Sequence, residues 1–180
     1  MTVVRRLSSD ELTPRELASL RMLFDASWPD PEDAFSDEDF EHALGGVHFV
    51  VEADGAIVSH GSVVGRELHT RGHRLATGYV EGVATLPEHR RRGYASAIMA
   101  EVGEHTGRTF ELAALGTGLH DFYGRLGWIT WQGPTSTRTD RGLERTPGED
   151  GLVLVRLTPT SPYLDLSAPI SCEWRPGDVW

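Results

Sequence analysis

The N-terminal part of the chain places apolar residues at helical spacing between short polar breaks. Residues 2–7 predict a short strand. Residues 13–16, Thr-Pro-Arg-Glu, have the form of a capping box with proline at the first helical position, and the apolar residues that follow share one helical face. Residues 36–39, Ser-Asp-Glu-Asp, predict a second helix start, which Gly45-Gly46 would end. The pattern therefore predicts one strand followed by two helices.

The rest of the chain changes to strand-like runs separated by turns, with two further helices. Asp54-Gly55 and Arg71-Gly72 are typical hairpin turns in an antiparallel meander. Residues 133–151 predict a polar loop, and the segment from residue 159 predicts a tail rich in proline and serine. The patterns predict strands at 47–53, 56–68, 74–85, 109–115, 128–131 and 152–157, and helices from residue 95 and over 118–126. This order of elements predicts a mixed α+β fold.

The composition excludes several kinds of chemistry. The chain has 180 residues, a formal net charge of −10, and 17 basic residues that are all arginine. So acidic a chain is a poor candidate for binding nucleic acid, which needs clustered positive charge. Without lysine there is no Walker-type phosphate lysine, Schiff base or pyridoxal-phosphate anchor. The length predicts a single domain over residues 1–180.

Cysteine and histidine usage argues against disulfides and metal. The single cysteine, Cys172, excludes an internal disulfide framework and is typical of a reducing compartment. The one His-x-x-x-His spacing, His69 to His73, spans the predicted Arg71-Gly72 turn instead of a helix, and no cysteine pairs with it, so we expect no metal. The first residues have no apolar core of signal-peptide length, and no run approaches a membrane span. The sequence predicts a soluble cytoplasmic protein without a membrane or nucleic-acid partner.

An acidic stretch lies between Arg21 and Arg66, where no basic residue occurs. Its ten carboxylates equal the whole net charge. Such a block is usually a solvated face, but its negative field also suits a cationic small molecule. Both interpretations stay open at this point. The acidic residues are Asp25, Asp30, Glu32, Asp33, Asp37, Glu38, Asp39, Glu41, Glu52 and Asp54.

The most informative motif is Arg90-x-x-Gly93-x-Ala95, which lies between a predicted strand and a predicted helix. Glycine allows a phosphate to approach the backbone closely. A helix start leaves N–H groups unpaired and carries partial positive charge. The neighbouring Arg91 and Arg92 add cationic attraction. A pyrophosphate fits this loop, and a simple basic turn before a helix is the alternative.

In its context this motif resembles the acetyl-coenzyme A signature of the Gcn5-related N-acetyltransferase (GNAT) superfamily, Gln/Arg-x-x-Gly-x-Gly/Ala. The order of predicted elements is similar to that superfamily over most of the chain. The resemblance implies the acyl-CoA N-acyltransferase fold, with a mostly antiparallel central sheet flanked by helices, and acetyl-CoA as co-substrate. It implies that backbone amides hold the pyrophosphate and strand residues hold the pantetheine arm. The implied donor-binding residues are Val83, Ala84, Arg90, Arg91, Arg92, Gly93, Tyr94 and Ala95.

A closer resemblance extends from about residue 40 to the last residue. Five segments are similar to the aminoglycoside 2′-N-acetyltransferases of actinobacteria: 41–48, 78–84, 131–136, 145–147 and 174–180. This resemblance implies acetylation of the 2′-amino group of a polycationic aminoglycoside by direct attack on the thioester. It also implies antibiotic resistance and a homodimer.

Transfer of an acetyl group to an amine needs a base, an oxyanion donor and an acid for the leaving thiolate. Glu81 is the candidate base, because a carboxylate in an otherwise apolar strand is costly unless it is paired or solvated. A place on the wet face of the strand is the alternative. The resemblance implies Tyr123 as the acid and the Val83 N–H as the oxyanion donor. Packing against the sheet is the alternative for Tyr123, and full proton transfer or hydrogen bonding both stay open.

A polycationic acceptor needs several carboxylates, and the resemblance implies where they lie. Asp39 also fits the third helical position of a capping box, and Glu149 also fits a solvated loop. Trp174 and Trp180 suggest that the tail, from about residue 159, docks on the body of the protein, and a frayed end is the alternative for Asp178. The resemblance implies that the tail docks at the acceptor site, where the terminal carboxylate would bind an amine. Ala34 stands near an acidic position of the family. The implied acceptor contacts are Asp39, Glu81, Gly82, Thr117, Glu149, Asp178 and Trp180.

Two other functions stay open on the sequence. One is acetylation of another polyamine or of a cell-wall amino sugar. The other is a binding protein that sequesters cationic drugs or senses acyl-CoA without turnover.

Overall fold

The computed structural model describes residues 2–32 and 34–180, so Asp33 of the acidic stretch lies outside the described residues. The α-helices of this part are α1 (Pro14–Ser27), α2 (Asp37–Ala43), α3 (Tyr94–Thr109) and α4 (His120–Gly124). The strands are β1 (Arg5–Ser8), β2 (Val47–Ala53), β3 (Ala56–Thr70), β4 (His73–Thr85), β5 (Leu112–Gly116), β6 (Ile129–Thr130), β7 (Thr135–Thr139), β8 (Gly142–Arg145), β9 (Val153–Leu157) and β10 (Ile170–Glu173). None of these helices combines the length and apolar character needed to cross a bilayer.

The local signals read from the sequence form as predicted. Thr13 Oγ1 accepts a hydrogen bond from Glu16 N, and Glu16 Oε2 accepts one from Thr13 N at 2.8 Å, which closes the first capping box. A second capping box, formed by Ser36 and Asp39, caps the start of α2. The Asp54-Gly55 and Arg71-Gly72 turns both have positive φ at both residues, as tight two-residue hairpins require. Helix starts and meander turns are therefore confirmed.

The chain folds into two compact units. Unit 1 comprises the described residues up to Val64 together with Val80–Glu104, and unit 2 comprises Gly65–Tyr79 and His105–Trp180. The long strands β3 and β4 contribute to both units. The single domain expected from the length stays a prediction.

Unit 1 contains an antiparallel array in which β1 pairs with β2 and β2 pairs with β3. Its apolar core includes Leu20, Leu23 and Phe24 of α1 and Phe40 of α2. Helix α3 packs at Gly61, where an added Cβ would lie 3.0 Å from Ile98 Cγ2. The core thus fixes the end of β4 and the start of α3, the two elements that bracket the motif at residues 90–95.

Unit 2 is a mixed sheet in the strand order β6-β9-β5-β4-β3-β10-β7-β8. The β4–β5 and β7–β10 pairs are parallel, and β5–β9, β6–β9, β7–β8 and β3–β10 are antiparallel. Buried apolar residues of β5 and β9 form much of its interior, with Trp131 fully buried. The α+β class with a mixed sheet is confirmed.

Two predictions for unit 2 were wrong. The expected polar loop over 133–151 contains the hairpin of β7 and β8, and the expected tail contains β10 between β3 and β7. The sequence misleads because β7 buries hydroxyl residues instead of apolar ones. Thr135 is fully buried, and its hydroxyl donates to the carbonyl of Thr146 at 2.7 Å. Strands with satisfied polar side chains lack the alternation that predicts them.

Candidate active site

The motif at residues 90–95 forms an open backbone loop in unit 1. Arg91 and Gly93 both have positive φ, of 61° and 82°, and an added Cβ at Gly93 would meet nothing within 4 Å. The Ala97 N–H donates to the Gly93 carbonyl at 3.0 Å, so α3 starts directly after this glycine. The first helical amides have no acceptor within the helix, and open space lies in front of Gly93. This geometry fits an anionic phosphate group.

Two arginines of the motif are held by their own loop. The Arg90 Nε–H donates to the Thr85 carbonyl at 3.2 Å, and Arg92 Nη2 donates to the Glu88 carbonyl at 3.2 Å. Both residues, like Arg91, are exposed. Their guanidinium groups are therefore anchored at one end while the remaining N–H groups are accessible to a ligand.

The end of β4 departs from regular strand geometry at Gly82. Its φ is +56°, and an added Cβ would lie 2.9 Å from Phe24 Cζ. A left-handed residue inside a strand is the signature of a β-bulge, which redirects the neighbouring groups. Half-buried Glu81 and Val83 flank this bulge. The predicted base and the predicted oxyanion donor are thus the two immediate neighbours of one left-handed glycine.

Side chains of β3 form hydrogen bonds with three backbone carbonyls at and around this bulge. The Ser62 hydroxyl donates to the Glu81 carbonyl at 3.3 Å, and the Ser59 hydroxyl donates to the Ala84 carbonyl at 3.0 Å. Between them, the ring of His60 approaches the Gly82 carbonyl with Nδ1 at 2.7 Å. These contacts supply hydrogen bonds where the bulge interrupts the regular strand.

Asp39 has a structural role in unit 1. Its Oδ2 accepts hydrogen bonds from the N–H and hydroxyl of Ser36, at 3.2 and 2.7 Å, and its Oδ1 lies 3.8 Å from His42 Nδ1. The prediction that Asp39 belongs to the capping box of α2 is therefore confirmed. Its contact with a substrate stays a prediction.

Tyr123 lies on α4 in unit 2. The side chain is buried, between Phe122 and Trp128, whose rings meet it edge-on at 4.9 and 6.2 Å between centroids. Burial raises the pKa of the phenol to about 12. The group is therefore fully protonated at neutral pH and is a hydrogen-bond donor rather than a strong acid.

The remaining predicted acceptor residues also lie in unit 2. Thr117 follows β5, and its Oγ1 accepts a hydrogen bond from Leu119 N at 3.0 Å. Burial raises the pKa of the Glu149 carboxyl, and the nearby Asp178 charge raises it further. A cation between Glu149 and Asp178 would offset both effects.

Trp180 is buried in unit 2, whereas Trp174 is exposed. The Trp180 Nε1–H donates to Thr146 Oγ1 at 2.9 Å, and its backbone N–H donates to Asp178 Oδ1 at 3.1 Å. Arg66 Nη2 donates to the Val179 carbonyl at 2.8 Å. The last residues are therefore held by side chains of the unit.

Sequence reasoning missed three supporting residues. Buried Arg66 also donates from Nε to Glu173 Oε1 at 3.1 Å, and it lies over the ring of Tyr79. His48 and His60 are fully buried in β2 and β3. The one available signal was a polar residue inside a strand run, which the sequence alone cannot assign to a partner.

The predicted residues divide between the two units. Unit 1 holds Asp39, Glu81, Gly82, Val83, Ala84 and residues 90–95, and unit 2 holds Thr117, Tyr123, Glu149, Asp178 and Trp180. A cavity of about 740 Å³ in unit 1, bordered by Ser19, Met22, Ile57 and Leu86, contains none of them.

The sequence of the chain is similar to those of known acetyltransferases. Residues 9–130 match the family described as acetyltransferase (GNAT) domain. A curated aminoglycoside 2′-N-acetyltransferase from Mycolicibacterium fortuitum is 42% identical over 153 residues, which are 83% of this chain and 78% of that protein.

Solved structures resemble the chain in fold. A GNAT family N-acetyltransferase (YhbS) from Escherichia coli, crystallised with CoA, has a TM-score of 0.64 at 14% identity, covering 95% of this chain and 89% of that one. A probable N-acyltransferase from Enterococcus faecalis V583 has a TM-score of 0.59 at 20% identity, covering 73% of this chain. The chain spans 33% of that protein.

Proposed function

The chain belongs to the GNAT acetyltransferase family and uses acetyl-CoA, and from this membership we propose that it acetylates the 2′-amino group of aminoglycosides. The observation that carries the acceptor is the 42% identity, over 83% of the chain, to a curated aminoglycoside 2′-N-acetyltransferase. The acidic composition, with a net charge of −10, suits a polycationic acceptor.

Unit 1 supplies the groups for the acetyl donor. The amides of residues 91–95, Gly93 with its open face, and the three arginines would hold the pyrophosphate. Val83 and Ala84 on β4 would hold the pantetheine arm. Acetyl-CoA contributes an activated thioester, and every proton movement below is assigned to side chains or backbone of this chain.

Glu81 is the proposed base. Its carboxylate takes one proton from the acceptor's ammonium group, which frees the nitrogen lone pair to attack the thioester carbon. The new C–N bond forms as the C–S bond breaks. The Val83 N–H, next to the Gly82 bulge, donates to the oxygen on which negative charge develops.

Tyr123 in unit 2 is the proposed donor to the leaving sulfur. Because its pKa is raised to about 12, the phenol retains its proton at neutral pH. Hydrogen bonding to the thiolate is therefore favoured over full transfer, since a thiol is the stronger acid. The second proton lost by the amine finally resides on the thiol.

The acceptor is proposed to contact Asp39, Glu81, Gly82, Thr117, Glu149, Asp178 and Trp180. Glu149 supports this proposal, because burial and the nearby Asp178 charge both raise the pKa of its carboxyl. A bound ammonium would lower that pKa and strengthen its own attraction.

Wider consequences follow from the proposal. Acetylation removes a positive charge from the drug, so we expect expression of the chain to raise resistance to aminoglycosides with a 2′-amine. We also expect the protein to be cytoplasmic. We expect it to be a homodimer, which light scattering of the purified protein would test.

The decisive experiment is release of free thiol from acetyl-CoA in the presence of two kanamycins that differ only at position 2′. We expect turnover with the 2′-amino compound and none with the 2′-hydroxyl compound. Mass spectrometry of the product should show a single added acetyl group.

Other outcomes would redirect the proposal. Equal turnover with both kanamycins would place the reaction at another amine. Turnover only with linear polyamines or cell-wall amino sugars would make drug acetylation incidental. Tight drug binding without any thiol release would indicate a binding protein.

A further inference from the structure

A line of buried hydrogen bonds crosses unit 1 and ends at the Gly82 bulge. Ser9 Oγ lies 2.8 Å from His48 Nε2, and His48 Nδ1 lies 2.8 Å from His60 Nε2. The line continues from His60 Nδ1 to the Gly82 carbonyl oxygen at 2.7 Å. Both imidazole rings are fully buried. No step of the chemistry described above uses these residues.

The Gly82 carbonyl at the end of the line determines which atom donates and which atom accepts in each of its hydrogen bonds. A carbonyl only accepts, so His60 Nδ1 must carry the proton. Burial lowers the pKa of His60 to about 3 and that of His48 to about 4, so both rings are neutral at pH 7. A neutral His60 therefore accepts at Nε2, and His48 must donate from Nδ1. His48 Nε2 then accepts from the Ser9 hydroxyl.

The contacts of Ser9 agree with this direction. The Ser9 Oγ accepts a hydrogen bond from Gly46 N at 3.2 Å, and the Ser9 N–H donates to the Gly46 carbonyl at 3.1 Å. The Ser9 hydroxyl has two acceptors within reach, the Gly46 carbonyl at 3.1 Å and His48 Nε2 at 2.8 Å. Because the Gly46 carbonyl already has the Ser9 N–H as a donor, the single hydroxyl proton is available to the nearer His48 nitrogen.

The group at the end of the line shows whether the line carries protons or holds an atom in place. A chain of imidazoles that ended at a carboxylate could carry protons, but the Gly82 carbonyl neither releases nor takes up a proton under ordinary conditions. The line instead holds a backbone oxygen in place. That oxygen belongs to the left-handed residue between Glu81 and Val83.

We propose that Ser9, His48 and His60 form a positioning relay, which fixes the Gly82 carbonyl and thereby orients Glu81 and Val83 for acetyl transfer. The relay rests on the function proposed above, since it acts through the base and the oxyanion donor of that reaction. His60 orients the carbonyl directly. His48 and Ser9 hold His60 in the one tautomer that can donate to it.

A buried relay suits this purpose better than a flexible contact. Glycine is free to adopt many backbone conformations, so its surroundings must hold Gly82 in this one, and Phe24 and the His60 ring both border the residue. A small displacement of reacting groups lowers turnover about 10²-fold. Disrupting the relay should therefore lower turnover far more than donor binding, most of whose proposed contacts lie at residues 90–95.

The first test measures the tautomers in the wild-type protein and needs no variant. Long-range ¹⁵N–¹H NMR spectra of the imidazoles distinguish the two tautomers. We expect protonated Nδ1 and bare Nε2 at both His48 and His60. A protonated Nε2 at His60 would overturn the relay.

The second test compares two substitutions of equal polarity at one position. His60→Asn keeps an N–H donor on Cγ, where His Nδ1 is bonded, whereas His60→Gln moves the amide to the position of Nε2. We expect His60→Gln to lower kcat about 10²-fold, with Kd for acetyl-CoA within about twofold. We expect His60→Asn to restore most of the turnover.

Controls separate positioning from stability and from the proposed reaction. His73→Gln, at an exposed position of unit 2, should leave kcat unchanged. Ser9→Ala removes the far donor and should lower the Nδ1–H tautomer population of His48. Equal turnover of the Asn and Gln variants would overturn the positioning role. If the wild-type protein acetylates no acceptor, the proposed function fails, and the tautomers alone then decide whether the relay exists.

Discussion

The two units hold their functional residues by opposite electrostatic means. In unit 1, the bulge that carries Glu81 is supported by neutral buried groups, among them two histidines whose pKa values burial lowers to about 4 and 3. In unit 2, the end of the chain is held by Arg66, a buried cation that donates to the Val179 carbonyl at 2.8 Å. One arrangement needs its groups uncharged, and the other needs a charge.

The difference suits the ligand proposed for each unit. The motif of unit 1 would receive an anionic donor on backbone amides, so a positive charge buried behind the bulge is unnecessary. The carboxylates of unit 2 would receive a cationic acceptor, which would offset the burial and the Asp178 charge that raise the pKa of Glu149. The units should therefore respond differently to substitution and to acid.

The largest expected effect is on turnover through unit 1. We expect Glu81→Gln to lower kcat about 10²- to 10⁴-fold, because a positioned base contributes that much. Binding of acetyl-CoA, measured by calorimetry, should remain nearly unchanged. Glu101→Gln, an exposed carboxylate on α3, is the matched control. Wild-type turnover in Glu81→Gln would remove the residue from the mechanism.

A large effect on stability is expected in unit 2, where backbones approach closely. At Gly133 an added Cβ would lie 1.9 Å from the Ala168 carbonyl oxygen. We expect Gly133→Ala to lower the free energy of unfolding by about 3 kcal/mol, measured by urea denaturation. Gly118→Ala, where nothing lies within 4 Å, should change it little. Similar midpoints for both variants would contradict the close approach.

Lowering the pH should affect the stability of the two units differently. Unfolded histidine binds a proton near pH 6.5, whereas His48 and His60 bind one only near pH 4 and 3 in the fold. Between these values the unfolded chain binds more protons, so stability falls as the pH drops. The slope is up to about 1.4 kcal/mol per pH unit for each histidine.

Glu149 has the opposite sign. Its raised pKa means that its protonated form is favoured in the fold, so this contribution is present at low pH and is lost as the pH rises through that pKa. When the pH is lowered from 7 to about 5.5, hydrogen-exchange protection should therefore fall more in β2 and β3 of unit 1 than in β5 and β9 of unit 2. Equal loss of protection in both units would contradict the assignment.

The smallest predicted effect is at Tyr123. If the phenol only donates a hydrogen bond to the leaving sulfur, Tyr123→Phe should lower kcat about tenfold. Tyr163→Phe, at a 92% exposed position, is the control. A loss comparable to that of Glu81→Gln would show that Tyr123 transfers a full proton.

The sequence determined the local features whose causes lie within a few neighbouring residues. The capping boxes at Thr13 and Ser36, the turns at Gly55 and Gly72, and the glycine before α3 all depend on short-range hydrogen bonding and allowed backbone angles. The acetyl-donor motif is local in the same sense. These features could be predicted because no distant residue is needed to produce them.

Only the tertiary structure decided which distant residues support one another. Strand β7 was missed because its buried hydroxyls find acceptors 11 residues away, as Thr135 does at Thr146. The histidines became informative when β2 and β3 placed their rings in one line, 12 residues apart along the chain. A polar side chain in an apolar strand has a meaning that depends on its partner, and strand pairing alone provides that partner.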